Sequence, residues 1–295
     1  MLSNKTHRPK KSLGQNFLKS EIALRKIIEA GEIKPDDVIL EIGPGKGALT
    51  EKLLGHPISK LIAVEKDREL FEFLKEKFKK EIAEKKLILI NNDILKIDPL
   101  LISPFAGGEK TSYKIIANIP YNITGAILKK FLTAKRQPEL MVLLVQKEVA
   151  ESIVARDKKE SLLSISVKAY GEPKMIMKVE KRYFSPAPKV DSAIISITSI
   201  SRKLFTNSPL EEYPEVLPQG EVEMHPPRLS ATPQEGNLEQ RFWQIVKAGF
   251  AHKRKKLSSN LKTLQKNGRL ASVESLENKR AEDLTLEDWI KLAKE

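Results

Sequence analysis

The residues of this chain with the clearest chemical potential are Asn118-Ile119-Pro120-Tyr121. The side-chain oxygen of Asn118 and a backbone carbonyl held in place by Pro120 can accept both hydrogens of an exocyclic amine such as N6 of adenine. That amine is a poor nucleophile because its lone pair is delocalised, and two acceptors would aim the lone pair at an electrophile by orientation and electrostatics. Tyr121 adds an aromatic face on which an extruded base can stack. The same residues could instead form only a strand-ending turn.

A glycine-rich segment, EIGPGKGALT from residue 41, predicts a nucleotide pocket. Gly43 and Gly45 allow the backbone to turn sharply out of a strand and to approach a ligand closely. Glu65 ends the next predicted strand, where a carboxylate can accept hydrogen bonds from ribose hydroxyls. Asp93 follows the third strand, where it can meet an adenine amino group. The loop alone is ambiguous, because its glycines and the acidic residue about 20 positions on also satisfy the dinucleotide-binding fingerprint.

The elements that must position these residues are short β-branched runs alternating with helical patterns. The strand candidates are residues 38–42, 61–64, 87–90, 114–117 and 141–145, with a terminal strand pair at 174–179 and 193–198. Amphipathic stretches between them include residues 68–78 and 124–132. This alternation predicts an α/β fold with a mostly parallel, doubly wound sheet. Ligands bind outside the carboxyl ends of the strands in such a sheet, so the glycine loop and the Asn118 motif should face one pocket.

The composition changes after residue 200, which predicts three segments. Residues 1–200 form the sheet domain, and residues 201–240 form a Pro- and Glu-rich insertion or linker without sustained periodicity. Residues 241–295 regain helical periodicity and form a small helical domain. Within it lies a basic run, Lys253, Arg254, Lys255 and Lys256, which is a candidate contact for RNA phosphates.

Composition and charge narrow the classes of function. The chain has 295 residues, 40% of them hydrophobic and 31% charged, as expected for a globular protein with a core of normal size. Its net charge of +13 and pI of about 9.6 favour a polyanionic partner. There is no cysteine, and the four histidines are scattered, so we expect neither thiolate chemistry nor a metal site. No secretory signal or membrane span is evident, and we expect a soluble, cytoplasmic, monomeric protein.

Taken together, five segments of the chain resemble the KsgA/Dim family of ribosomal RNA adenine dimethyltransferases. They are SLGQNFL from residue 12, EIGPGKG from 41, NIPY from 118, FSPAPKVDS from 184 and FAHKRKKL from 250. Their order and spacing cover about residues 10 to 200 and 240 to 295. The resemblance implies a Rossmann-like class I methyltransferase sheet followed by a small C-terminal helical domain, and it favours S-adenosylmethionine over NAD as cofactor.

The resemblance also implies roles for individual residues. The cofactor site would be lined by Asn16, Leu18, Gly43, Gly45, Glu65, Asp93 and Asn118. Asn118, Pro120 and Tyr121 would hold the target amine, and Phe184 would stack on the adenine from its other side. The implied reaction is methyl transfer to N6 of two adjacent adenosines in the 3′-terminal hairpin of small-subunit (16S) rRNA, with the immature small subunit as partner and no metal.

Two alternatives remain open at this point. A large-subunit adenine methyltransferase of the antibiotic-resistance type shares the pocket and the Asn-Ile-Pro-Tyr loop, although the basic run and the segment from Phe184 fit the small-subunit enzymes better. A non-enzymatic rRNA-binding assembly or transcription factor could keep the fold without the chemistry, although the intact pocket motifs argue against this. The Pro- and Glu-rich segment departs from the family pattern and is longer than expected at that junction.

Overall fold

The described residues of a computed structural model, 9–10, 13–99, 112–206, 235–267, 270 and 278–294, fall into two units. The first unit combines the described residues up to Val154 with Tyr170–Ser201. The second combines Ala155–Ala169 with the described residues from Arg202 onward. The sequence-based division placed residues 155–169 in the first domain, whereas the structure groups them with the second unit. Most of the predicted insertion, residues 207–234, lies outside the described residues.

The first unit is built on a seven-stranded sheet with the order β4-β3-β2-β5-β6-β9-β7. The first five strands in that order are parallel, and β9 and β7 add to the edge as an antiparallel pair. A separate two-stranded sheet joins β1 to β8. The strands are β1 (Phe17–Leu18), β2 (Val38–Ile42), β3 (Lys60–Glu65), β4 (Leu87–Asn91), β5 (Tyr113–Asn118), β6 (Leu140–Gln146), β7 (Glu172–Val179), β8 (Phe184–Ser185) and β9 (Ser192–Thr198).

Helices of the first unit pack on this sheet through apolar faces. They are α1 (Glu21–Ala30), α2 (Ala48–Leu54), α3 (Arg68–Lys77), α4 (Lys79–Ala83), α5 (Thr124–Leu132) and α6 (Lys147–Val154). Side chains cap the N-termini of two of these helices. Ser20 accepts from the N–H of Ala23 at the start of α1, and Asp67 accepts from the N–H of Glu69 at the start of α3. Alternate residues of the central strands join α1, α2 and α3 in one buried apolar cluster. This packing fixes the strand ends and the loops that follow them.

The second unit is helical in its described part. Its helices are α7 (Leu162–Lys168), α8 (Glu235–Gly249), α9 (Leu257–Lys266) and α10 (Leu286–Lys294). Phe242 and Trp289 are fully buried in it. The indole of Trp289 lies so close to Gly249 that an added Cβ would stand 2.3 Å from it, so this helix end requires glycine.

The predicted α/β fold is confirmed, with strands within a residue or two of the expected bounds and the expected terminal strand pair at one edge, which the structure shows to be antiparallel. The chain leaves β2 towards β3 and β4 on one side and returns to β5 and β6 on the other. The order therefore reverses between β2 and β5, and a crevice opens at their carboxyl ends. No helix in the described ranges is long and apolar enough to cross a membrane.

Candidate active site

A cleft of about 360 Å³ opens at the carboxyl ends of the parallel strands. The loops after β2, β3, β4 and β5 line it, as expected for a doubly wound sheet. One wall is the N-terminal strap, residues 13–18, all six of which line the cleft. Every residue expected in the cofactor site lines this cleft: Asn16, Leu18, Gly43, Gly45, Glu65, Asp93 and Asn118. Pro120 and Tyr121 line it as well, so the two predicted motifs share one site.

The glycine loop is held against the end of β3 by a buried carboxylate. Glu65 is 5% exposed, and its Oε2 accepts from the N–H of Gly45 at 3.0 Å while Oε1 accepts from that of Asp67 at 2.8 Å. Burial raises the pKa of Glu65, and the backbone hydrogen bonds partly offset that rise. Gly45 has φ +61°, and a Cβ there would meet the Phe17 ring at 3.0 Å. The loop is therefore shaped by glycine and fixed by Glu65.

Asp93 lies at the far side of the cleft in an ion pair that the sequence did not indicate. Its Oδ2 is 2.9 Å from Nζ of Lys66, and its Oδ1 accepts from the N–H of Leu95 at 3.0 Å. Burial alone would raise the pKa of Asp93, but the hydrogen bonds from Lys66 and Leu95 outweigh it and lower the pKa. Asp93 is thus ionised at neutral pH, and each oxygen keeps a lone pair for a further donor.

Asn118 ends β5 with its amide oriented by the strap. Its Nδ2 donates to the carbonyl of Asn16 at 3.3 Å, so the amide oxygen is the end that can accept from a substrate amine. The carbonyl of Pro120 accepts from the N–H of Ile123 at 3.2 Å, and its second lone pair can take another hydrogen. Asn118 and Pro120 both line the cleft, and the role of their oxygens as acceptors stays a prediction.

Tyr121 is fixed by a residue that sequence reasoning missed. Its hydroxyl lies 2.6 Å from Oγ of Ser192, which is fully buried at the start of β9. Burial raises the pKa of Tyr121, so the phenol stays protonated at neutral pH. This hydrogen bond links the Asn-Ile-Pro-Tyr loop to the end of the Pro-Ala-Pro-Lys-Val-Asp-Ser segment. In the sequence, the signal for Ser192 was its place at the end of this proline-rich segment.

Phe184 is buried in the short sheet that joins β1 to β8. Strand β8 pairs with β1 so that Leu18 faces Phe184 and Phe17 faces Ser185. Because side chains alternate along a strand, Ser185 lines the cleft while Phe184 points into the core and is 2% exposed. The Phe184 ring packs in the buried apolar cluster of the first unit. The expected stacking of Phe184 on a base stays a prediction.

Comparison with known proteins shows the family of this chain. The model of the family described as ribosomal RNA adenine dimethylase matches residues 6–219. The chain belongs to the ribosomal RNA adenine dimethylase family. A ribosomal RNA small subunit methyltransferase A from Dehalococcoides mccartyi is 38% identical to it, with 100% of this chain and 91% of the relative covered.

Two solved structures are also similar to this dimethylase along nearly their whole length. The 23S rRNA methyltransferase ErmE has a TM-score of 0.66 at 25% identity, with 95% of this chain and 98% of that chain covered. A dimethyladenosine transferase from Plasmodium falciparum has a TM-score of 0.67 at 24% identity, with 94% and 95% covered. These likenesses extend the fold assignment to the helical part of the dimethylase.

The cleft fits S-adenosylmethionine, the methyl donor that membership of a methyltransferase family implies. A volume of about 360 Å³ is in the range of small-molecule sites. Leu70 and Ile94 supply apolar lining suited to a purine ring, and Glu65 and Asp93 supply carboxylates suited to ribose hydroxyls and an amino group. Among the residues that the structure describes, no group of three or more His, Cys, Asp or Glu side chains is arranged to hold a metal ion.

The basic run of the dimethylase forms an exposed turn between α8 and α9. Lys253, Arg254, Lys255 and Lys256 are all exposed, and Nζ of Lys256 donates to Asn278 at 2.8 Å. The turn is held by Asn260, whose amide donates to the carbonyls of Gly249 and His252. The side chains of the run are therefore presented to solvent on an ordered backbone.

Proposed function

We propose that this chain transfers methyl groups from S-adenosylmethionine to N6 of two adjacent adenosines in the 3′-terminal hairpin of small-subunit (16S) rRNA. The products are dimethyladenosines, and the substrate is the immature small ribosomal subunit in the cytoplasm. The proposal combines the adenine dimethylase family with the acceptor geometry at Asn118. The printed name of the Dehalococcoides mccartyi relative supports the small subunit as the source of the RNA.

The cofactor would be held by the residues that line the cleft, with Glu65 facing the ribose and Asp93 facing the adenine amino group. When bound, S-adenosylmethionine supplies an electrophilic methyl group on a positively charged sulfur. Leu18 and the glycine loop line the same cleft and would lie beside the bound donor.

The target amine would be held by this chain through two acceptors and one aromatic face. The amide oxygen of Asn118 and the carbonyl of Pro120 accept one N6 hydrogen each. This turns the nitrogen lone pair out of conjugation and towards the donor. The ring of Tyr121, fixed through Ser192, supports the extruded base by stacking. No group needs to take the proton before transfer, so orientation and electrostatics carry the catalysis.

The single observation that carries this proposal is the orientation of Asn118. Its nitrogen is engaged by the carbonyl of Asn16, which leaves the oxygen as the acceptor on the edge of the cleft. A dinucleotide-binding protein or a simple strand-ending turn has no need for an amide held in this way. The basic turn at residues 253–256 would contact RNA phosphates beside the reacting hairpin.

The proposal is tested by methyl transfer from labelled S-adenosylmethionine to isolated, unmodified small and large ribosomal subunits. We expect label in small-subunit RNA alone, at two adjacent adenosines near its 3′ end. Label confined to large-subunit RNA would replace the small-subunit proposal with the antibiotic-resistance type of activity. Absence of label from both subunits, with donor affinity retained, would favour a binding protein without catalysis.

A further inference from the structure

The N-terminal strap contacts both motif loops of the cleft. Phe17 packs on Gly45 of the glycine loop, and its ring also lies 5.0 Å from Nζ of Lys46. The carbonyl of Asn16 accepts the hydrogen bond from Asn118. An anchor on a helix would help to keep this wall in place before a ligand arrives.

Asp67 provides that anchor from the start of α3. Its side chain is fully buried, with Nζ of Lys10 at 2.8 Å from Oδ1 and Nε2 of Gln15 at 2.8 Å from Oδ2. The N–H of Lys10 donates to Oε1 of Gln15 at 2.7 Å, which closes a ring of hydrogen bonds around the carboxylate. Asp67 also accepts from the N–H of Glu69, so the anchor is part of the helix cap. Two residues of the N-terminal segment are thereby tied to a rigid element.

The anchor is charged at neutral pH. Burial opposes ionisation of Asp67, but the hydrogen bonds from Lys10 and Gln15 outweigh it and hold the pKa of the carboxyl below its ordinary value. Charge-assisted hydrogen bonds are stronger than neutral ones, and here the carboxylate is buried while the Lys10 side chain, which also lies 3.2 Å from Oε1 of Glu69, is partly exposed. The N–H of Asp67 also donates to Glu65, which places the anchor directly beside the carboxylate at the floor of the cleft.

We propose that Asp67 is a positioning residue that, through Lys10 and Gln15, holds the N-terminal strap closed over the methyl-donor site. The proposal rests on the function proposed above for the identity of the donor. Asp67 acts through the strap and takes no part in the transfer itself. When the anchor is lost, the strap is closed for only part of the time, and the apparent dissociation constant of the donor rises in inverse proportion to that fraction.

The test uses the full chain with Lys10→Ala, a change at a residue that does not line the cleft and that leaves the cap of α3 intact. Dissociation constants for S-adenosylmethionine and for unreactive S-adenosylhomocysteine are measured by calorimetry, together with KM for the donor and kcat at saturating donor. Asp67→Asn is a second route to the same loss, because asparagine can still cap the helix. Lys26→Ala is the matched control, since it breaks an exposed lysine–glutamate pair on α1.

We expect Lys10→Ala and Asp67→Asn each to bind both ligands roughly 10-fold more weakly, with kcat at saturating donor within about 2-fold of the wild type. The melting temperature without ligand should change little, while the increase produced by the donor shrinks. Wild-type affinity in both Lys10→Ala and Asp67→Asn would overturn the proposal. So would a fall in kcat without a change in KM. A wild-type chain that fails to bind the donor would instead overturn the donor assignment, and the strap proposal with it.

Discussion

At the scale of single residues, the site depends on amides and hydroxyls whose partners fix their direction. Asn118 presents its oxygen because its nitrogen is engaged by Asn16, and Tyr121 keeps its position through Ser192. Neither constraint is visible in the spacing of the sequence motifs, because both partners lie far away along the chain. The sequence identified which residues could act, and the structure adds what orients them.

The role of Asn118 predicts a defect in turnover rather than in RNA binding. Asn118→Ala removes one acceptor of the amine, and we expect kcat to fall about 100-fold or more, as for other preorganised polar groups. RNA affinity, measured by filter binding, should stay near the wild-type value. Asn267→Ala is the same change at an exposed position of the second unit and serves as the control. Wild-type turnover in Asn118→Ala would contradict the role.

If the Tyr121–Ser192 hydrogen bond positions the ring, loss of either hydroxyl should cause the same defect. Tyr121→Phe and Ser192→Ala each remove one hydroxyl of the pair, so each should lower kcat/KM for RNA by roughly 2- to 10-fold. Because both act on the same bond, the double variant should be no worse than the more severe single one. Kinetics of the four chains test this coupling. Additive losses would show that Ser192 acts independently of Tyr121.

At the scale of elements, strand and helix positions could be predicted well, because apolar periodicity and β-branched runs are local signals. Strand β2 and helix α5 have the expected bounds, and the terminal strand pair lies at the edge of the sheet as expected. The placement of Phe184 could not be predicted, because a two-residue strand gives no periodicity and its facing depends on pairing with β1. The grouping of α7 with the second unit likewise depends on packing between distant segments.

Glu41 and Thr50 join β2 to α2 around the glycine loop, and their burial predicts a pH dependence of stability. Burial, which outweighs the hydrogen bond donated by Thr50, raises the pKa of Glu41 to about 8. The folded chain therefore keeps this proton up to about pH 8, while the unfolded chain releases it near the ordinary value of 4.5. Between these values the free energy of unfolding falls as pH rises, by at most about 1.4 kcal/mol per unit.

Glu41→Gln keeps an acceptor for Thr50 but cannot ionise. We expect its free energy of unfolding, measured by urea denaturation, to fall less between pH 5 and pH 8 than that of the wild type. Glu29→Gln, at an exposed position of α1, should follow the wild-type profile. If the free energies of unfolding of the wild type and Glu41→Gln change with pH in parallel, Glu41 is not the cause of this pH dependence.

At the scale of the whole molecule, the net charge of +13 and the exposed basic turn favour an RNA partner. Replacement of Lys253, Arg254, Lys255 and Lys256 with alanine should weaken RNA binding and flatten its dependence on salt, because fewer counterions are released. Affinity measured across a salt series gives the slope. The control is a chain with alanine at four exposed positions of the first unit, Arg25, Lys75, Lys79 and Lys80. If the dependence of RNA affinity on salt flattens equally in this control, total charge determines the binding and the basic turn has no special role.

The central claim is that the methyl groups reach the exocyclic nitrogen of adenine. The most direct measurement is mass spectrometry of nucleosides released from unmodified small subunits after reaction with the wild-type chain and S-adenosylmethionine. We predict two N6,N6-dimethyladenosines per subunit and no other new methylated nucleoside. Methyl groups on a ring nitrogen, on a ribose hydroxyl or on a base other than adenine would contradict the account.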